Sequence, residues 1–119
     1  NSVDLLGFKE NPYKYLNKAE CFILSSLWED PGFVLLEAAY LNIPIIASNC
    51  PNGPAEILQN SSGGFLFKNN NKNELIQAFE SFYKSSKIDL KIKKIKVKKY
   101  SKKFTKFGHF KNIQKIIEV

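Results

Sequence analysis

Glu29 and Glu37, eight positions apart, flank Gly32-Phe33-Val34, and this stretch concentrates the groups in the chain whose types and spacing could do chemistry. The apolar residues 33–41 predict a helix that begins just after the glycine. The first amides of a helix have no intrahelical acceptor and carry the positive end of its dipole, so they make a ready site for a phosphate. Gly32 lets such an anion approach the backbone closely. A phosphate would repel the two carboxylates, which therefore suit a neighbouring group instead: acceptors beside an anion site match the hydroxyls of a sugar or ribose. Other chemistry-bearing residues carry less. Glu56 is explained equally well by the dipole of the short helix it opens, and Trp28 by packing. His109 sits alone in a lysine-rich stretch, far from the glutamates, with no partner for proton transfer. Cys21 and Cys50 lack metal-ligand spacing and read as reduced thiols.

Holding that loop and helix in place requires a sheet. Residues 3–8 read as a short strand ending near Gly7, followed by a turn, Asn11 as a cap, Pro12 in the first helical position and a helix over 13–19. Residues 21–25 and 43–48 are continuous apolar runs of buried-strand type. Residues 55–59 predict a brief helix and 64–67 a short strand. Asn71 or Asn73 then caps a helix reaching about Lys84, with Leu75, Ile76, Phe79, Phe82 and Tyr83 as its apolar positions. Strand and helix alternate four times, the pattern of an α/β fold with a parallel sheet and flanking helices. Ligands in such sheets bind beyond the carboxyl ends of the strands, which selects the loops 7–11, 25–32 and 49–54.

Past Ser85 the pattern changes. Ile88, Ile92 and Ile95 recur at helical spacing, Tyr100, Phe104 and Phe107 follow, and Ile113, Ile116 and Ile117 mark a last amphipathic helix. The chain thus divides into an α/β part, 1–85, and a lysine-rich helical tail, 86–119, expected to pack by its apolar stripes on that part or on a missing domain.

At 119 residues the chain is one domain, and 44% hydrophobic with 24% charged residues excludes wholesale disorder and a disulfide scaffold. No apolar run is long enough to span a bilayer, and the polar, acidic start is not a secretory signal. The chain contains no methionine and begins at Asn1, which reads as a piece of a longer protein. All 18 basic residues are lysine: residues 1–67 balance at −4 and residues 68–119 at +11, so the formal +7 belongs to the tail. A solvated helix face explains such lysines. Their functional use would be a peripheral contact with an acidic membrane surface, while the absence of arginine argues against a specific nucleic-acid reader.

Residues 25–38, Ser-Ser-Leu-Trp-Glu-Asp-Pro-Gly-Phe-Val-Leu-Leu-Glu-Ala, followed by Pro44-Ile45-Ile46-Ala47-Ser48 and Gly53-Pro54-Ala55-Glu56-Ile57, resemble the C-terminal donor-binding domain of retaining glycosyltransferases with a GT-B fold, the family 1 or family 4 type with its E-x7-E motif. The resemblance runs from about Val3 to Phe82. It implies a partial Rossmann-like domain in which Glu37 accepts hydrogen bonds from the ribose of a nucleoside-diphosphate sugar. Glu29 takes the catalytic-centre position against the transferred sugar. The amides around Gly32, Phe33 and Val34 hold the diphosphate, and the backbone of Phe8 and Lys9 lies against the base. No metal or other cofactor is implied, because amides and basic side chains neutralise the departing diphosphate. One departure stands out: Asp30-Pro31 separates Glu29 from Gly32, where the family has glycine directly after the first glutamate.

The expectation is therefore the C-terminal part of an enzyme that transfers a sugar to a hydroxyl on a polysaccharide, cell-surface glycan or lipid-linked acceptor. It would work in the cytoplasm at the inner face of the membrane, with an N-terminal acceptor domain as partner, and this portion alone would be inactive. The alternatives are a non-catalytic nucleotide-sugar-binding remnant and a nucleic-acid binder working through its basic tail.

Overall fold

The two apolar runs expected as buried strands form the first two strands of a three-stranded parallel sheet. The computed structural model describes residues 3–117. Strand β1 (Phe22–Leu24) pairs with β2 (Ile45–Asn49) in the register Phe22 to Ile45, and β2 pairs with β3 (Phe65–Lys68) in the register Ile46 to Phe65. The order β1-β2-β3 puts β2 in the centre, where Ile45, Ile46, Ala47 and Ser48 are all buried. Of the helices, α1 is Tyr13–Leu16, α2 Phe33–Tyr40, α3 Pro54–Ile57, α4 Lys72–Lys84, α5 Lys87–Ser101 and α6 Lys106–Ile117, with a 3-10 turn over Lys102–Phe104 between the last two.

Alternation along β2 divides the core. Ile45 and Ala47 pack with Leu35, Leu36, Ala38 and Ala39 of α2, Ile57 and Leu58 at α3, and Val97 of α5. Ile46 turns to the other face, against Phe67, Ala78 and the partly buried Leu75 and Phe82 of α4. Full burial of an aliphatic side chain stabilises by about 1.5–3 kcal/mol, so the α2 face carries most of the fold.

Residues 3–8 form no strand. Val3, Leu5 and Phe8 are each at least 90% exposed, and the segment pairs with nothing among the described residues. A strand needs a neighbour for its amides and a covered face for its side chains, and composition supplies neither. The first helix is also shorter than expected: α1 spans one turn, and the Pro12 carbonyl rather than an Asn11 side chain organises it, accepting from the amides of Tyr15 and Leu16.

Helix α4 begins where expected. The Asn71 side chain caps it by accepting from the Glu74 amide, and the Glu74 carboxylate accepts from the Lys68 amide at 2.7 Å, tying the helix start to the end of β3. Its sheet-facing positions are Leu75, Ala78 and Phe82, while Ile76, Phe79 and Tyr83 stand one step round the helix and remain exposed.

Helix α5 does not dock through its isoleucines. Ile88, Ile92 and Ile95 are exposed, and the buried positions are Val97 and Ser101. Lysines complete the docking face. Lys93 Nζ donates to the carbonyls of Ser61 (2.6 Å) and Gly64 (3.0 Å) and lies over the Phe65 ring, and Lys98 Nζ donates to the Tyr40 carbonyl at 3.1 Å. Long stems cover apolar surface while their ammonium groups satisfy carbonyls in the loop before β3 and at the end of α2, so these two lysines are structural ties rather than a solvated face. Helix α6 buries none of its described residues. No described helix is long and apolar enough to cross a membrane.

Candidate functional site

At the carboxyl edge of the sheet, the loop between β1 and α2 is fastened to its neighbours at four points. The Ser48 hydroxyl, at the end of β2, donates to the Ser26 carbonyl at 2.5 Å. The Asn69 side chain, just past β3, donates to the Leu27 carbonyl at 2.8 Å. The Glu29 amide donates to the Pro51 carbonyl at 3.3 Å. At the fourth point there is no side chain at all: a β-carbon on Gly53 would lie 2.0 Å from the Pro31 carbonyl oxygen, so the loop after β2 presses backbone against backbone. The Asp30–Pro31 peptide bond in this loop is cis.

Gly32 closes the loop and caps α2 with φ +82°, in the left-handed region that glycine adopts without strain. The amides of Phe33 and Val34 have no acceptor among the described residues, and the first helical amide bond returns from Leu35 to the Gly32 carbonyl. Glu29 lies against this helix start: a β-carbon on Gly32 would sit 3.4 Å from its Oε2 and 3.6 Å from Leu35 Cδ1. Glu37 is one turn further along α2, partly buried beside the core residues Leu36 and Ala38. The structure thus gathers Glu29, Gly32, Phe33, Val34 and Glu37 at one helix end.

Phe8 and Lys9 are placed differently. Both are exposed in the irregular segment before α1, and no described hydrogen bond links either to α2. Glu56 is accounted for by α5, since the Tyr100 hydroxyl donates to its Oε1 at 3.1 Å. That bond and burial, the larger cause, raise the Tyr100 phenol above its ordinary value. Trp28 is exposed rather than packed.

His109 is nearer the site than its position in the sequence suggests. A cleft of about 360 Å³ is lined by Pro31 and Phe33 together with Lys103, Lys106 and His109. Helix α5 packs on α2, and the 3-10 turn after it returns the start of α6 to the loop. Sequence separation hid this because the docking face of α5 was not the apolar stripe.

Tyr13 was not singled out by the sequence. Its hydroxyl donates to Glu37 Oε1 at 3.1 Å, across 24 residues, and both line a cleft of about 470 Å³ with Phe33, Leu36, Tyr40 and Leu41. Nothing in local spacing signals that contact. Gly53 had a legible signal in Asn-Gly-Pro, a turn with a glycine where the backbone must take positive φ.

With this geometry in hand, the relationships of the chain are informative. Residues 1–104 match the family described as glycosyl transferases group 1, and the chain belongs to that family. It is 32% identical over 104 residues to the N-acetylgalactosamine-N,N'-diacetylbacillosaminyl-diphospho-undecaprenol 4-alpha-N-acetylgalactosaminyltransferase of Campylobacter jejuni, a match covering 87% of this chain and 28% of that protein. An uncharacterized glycosyltransferase of Methanocaldococcus jannaschii is 48% identical over 58 residues, 49% of this chain and 14% of that one. The chain therefore spans less than a third of the length of either curated relative. Among solved structures, that of TarM superimposes with a TM-score of 0.73 at 17% identity, covering 94% of this chain and 22% of that one, and bears on the fold alone. The fold is a Rossmann-like α/β fragment of the GT-B type.

Proposed function

We propose that this chain supplies the donor-binding part of a retaining glycosyltransferase, one that moves a sugar from a nucleoside-diphosphate sugar to a hydroxyl of a glycan or lipid-linked acceptor. The observation that carries this reading is the start of α2: amides at Phe33 and Val34 with no acceptor among the described residues, a left-handed glycine cap at Gly32, Glu29 against that cap and Glu37 one turn beyond. The amides and the helix dipole stabilise the negative charge that grows on the diphosphate as the bond to the sugar breaks. Glu37 accepts from the ribose hydroxyls and Glu29 from hydroxyls of the transferred sugar. The backbone of Phe8 and Lys9 provides the contact to the base. Charge neutralisation by amides is also why the reading includes no metal.

Support for the acceptor class comes from the Campylobacter relative, whose name specifies a diphospho-undecaprenol-linked glycan. Polysaccharide or cell-surface glycan synthesis at the cytoplasmic face of a membrane fits that chemistry, with the lysines of α5 and α6 toward anionic lipid and an acceptor-binding domain as the partner of this one. The test is Glu37→Ala in the complete enzyme. Loss of a charge-assisted hydrogen bond to the ribose should raise the donor's Michaelis constant or lower turnover by about tenfold or more. Unchanged kinetics would remove Glu37 from the donor site.

A further inference from the structure

Glu37 is a carboxylate on a helix flank, partly open to solvent, with several rotamers available to it. A ligand hydroxyl pair gains most from such an acceptor when the carboxylate is already held in the receiving orientation, because ordering a free side chain costs part of the binding energy. In this chain one group does the holding. The Tyr13 hydroxyl donates to Glu37 Oε1 at 3.1 Å and leaves Oε2 without a described partner. Tyr13 belongs to the single turn of α1, closed at its start by the Pro12 carbonyl accepting from Tyr15 and Leu16, and its ring lies in the same cleft as Glu37. The phenol is also kept protonated: the hydrogen bond to Glu37, and then its negative charge, push the Tyr13 hydroxyl upward from its ordinary value.

We infer that Tyr13 is a positioning residue for the donor, orienting the Glu37 carboxylate so that its remaining lone pairs, on Oε2 and on the far side of Oε1, meet the ribose hydroxyls of a nucleoside diphosphate. This rests on the assignment of Glu37 to the ribose. Its action is on binding, since the ribose is remote from the bond that breaks, and it therefore appears in the Michaelis constant rather than in turnover. A carboxylate has about four lone-pair sites, so one hydrogen bond from Tyr13 and two from a ribose are compatible.

The test is a double-mutant cycle in the complete enzyme with Tyr13→Phe, Glu37→Ala and both changes, assayed with the ordinary donor and with a donor whose ribose lacks its 2′ and 3′ hydroxyls. Tyr13→Phe should raise the donor's Michaelis constant about three- to tenfold, the loss of one orienting hydrogen bond, with turnover within about twofold. The effect should vanish in the Glu37→Ala background and with the dideoxy donor. If Glu37→Ala raises the constant while Tyr13→Phe leaves it unchanged, the positioning role is overturned and the ribose assignment stands. If Glu37→Ala itself is silent, the assignment fails first. A Tyr13→Phe effect of equal size with the dideoxy donor would show a merely structural contribution and would also overturn the inference.

Discussion

Replacing Gly53 by alanine should damage the site without touching any residue proposed to bind the donor. Gly53 has φ +140° and ψ −56°, a region closed to residues with a side chain, and holding alanine there costs about 1–3 kcal/mol. The steric problem is larger. The new β-carbon would meet the Pro31 carbonyl oxygen at 2.0 Å and its carbon at 2.8 Å. Ordinary contact between such atoms is about 3.5 Å, so the two loops must part by roughly 1.5 Å. Pro31 directly precedes Gly32, and the displacement passes straight to the helix start. We expect a total destabilisation of about 2–4 kcal/mol. Because misplacing a binding group by about 1 Å can cost around a hundredfold in rate, donor kcat/KM should fall by about ten- to a hundredfold. Denaturant unfolding and donor titration of the Gly53→Ala protein measure the two effects separately. A variant with wild-type unfolding midpoint and unchanged kcat/KM would refute the claim that backbone contact at Pro31 sets the loop.

Three further outcomes follow from the packing. Val97→Ala should destabilise by about 2 kcal/mol, a buried aliphatic truncation, whereas Ile92→Ala should stay within about 0.5 kcal/mol; equal costs in denaturant unfolding would place the docking face of α5 wrongly. Burial pushes the Cys21 thiol up to about 11, against a smaller opposing pull from the Ile46 backbone, so at pH 8 it should alkylate roughly a hundred times more slowly than an unhindered thiol. The unfolded chain ionises Cys21 first, near 9, so stability should decline as pH rises from about 9 to 11, and Cys21→Ala should flatten that decline.

The parts legible from sequence were those governed by local pattern. Continuous apolar runs gave the central strand and its neighbour, Asn71 gave the start of α4, and the glycine before an apolar segment gave the start of α2. Residues 3–8 failed because apolar composition does not reveal whether a strand has a neighbour. Helix α5 failed for a different reason: its isoleucines formed the stronger stripe, but its docking face is built from Val97, Ser101 and the stems of Lys93 and Lys98, which composition scores as polar. The site divided in the same way. Glu29, Gly32 and Glu37 lie within nine consecutive residues and could be read from them, whereas Tyr13, Ser48 and Asn69 reach the site through tertiary contacts. His109 and Tyr13 show how a long separation in sequence closes once α5 and α1 take their places.

The four fastenings of the β1–α2 loop decide what kind of moving part it can be. A loop tied to the end of β2, to the segment after β3 and, twice, to the turn before α3 has no independent hinge, and opening it would break all of these ties at once. It is an anvil rather than a lid. A donor must come and go on the open side of the helix start, and any closure that excludes water has to be carried by whatever stands opposite.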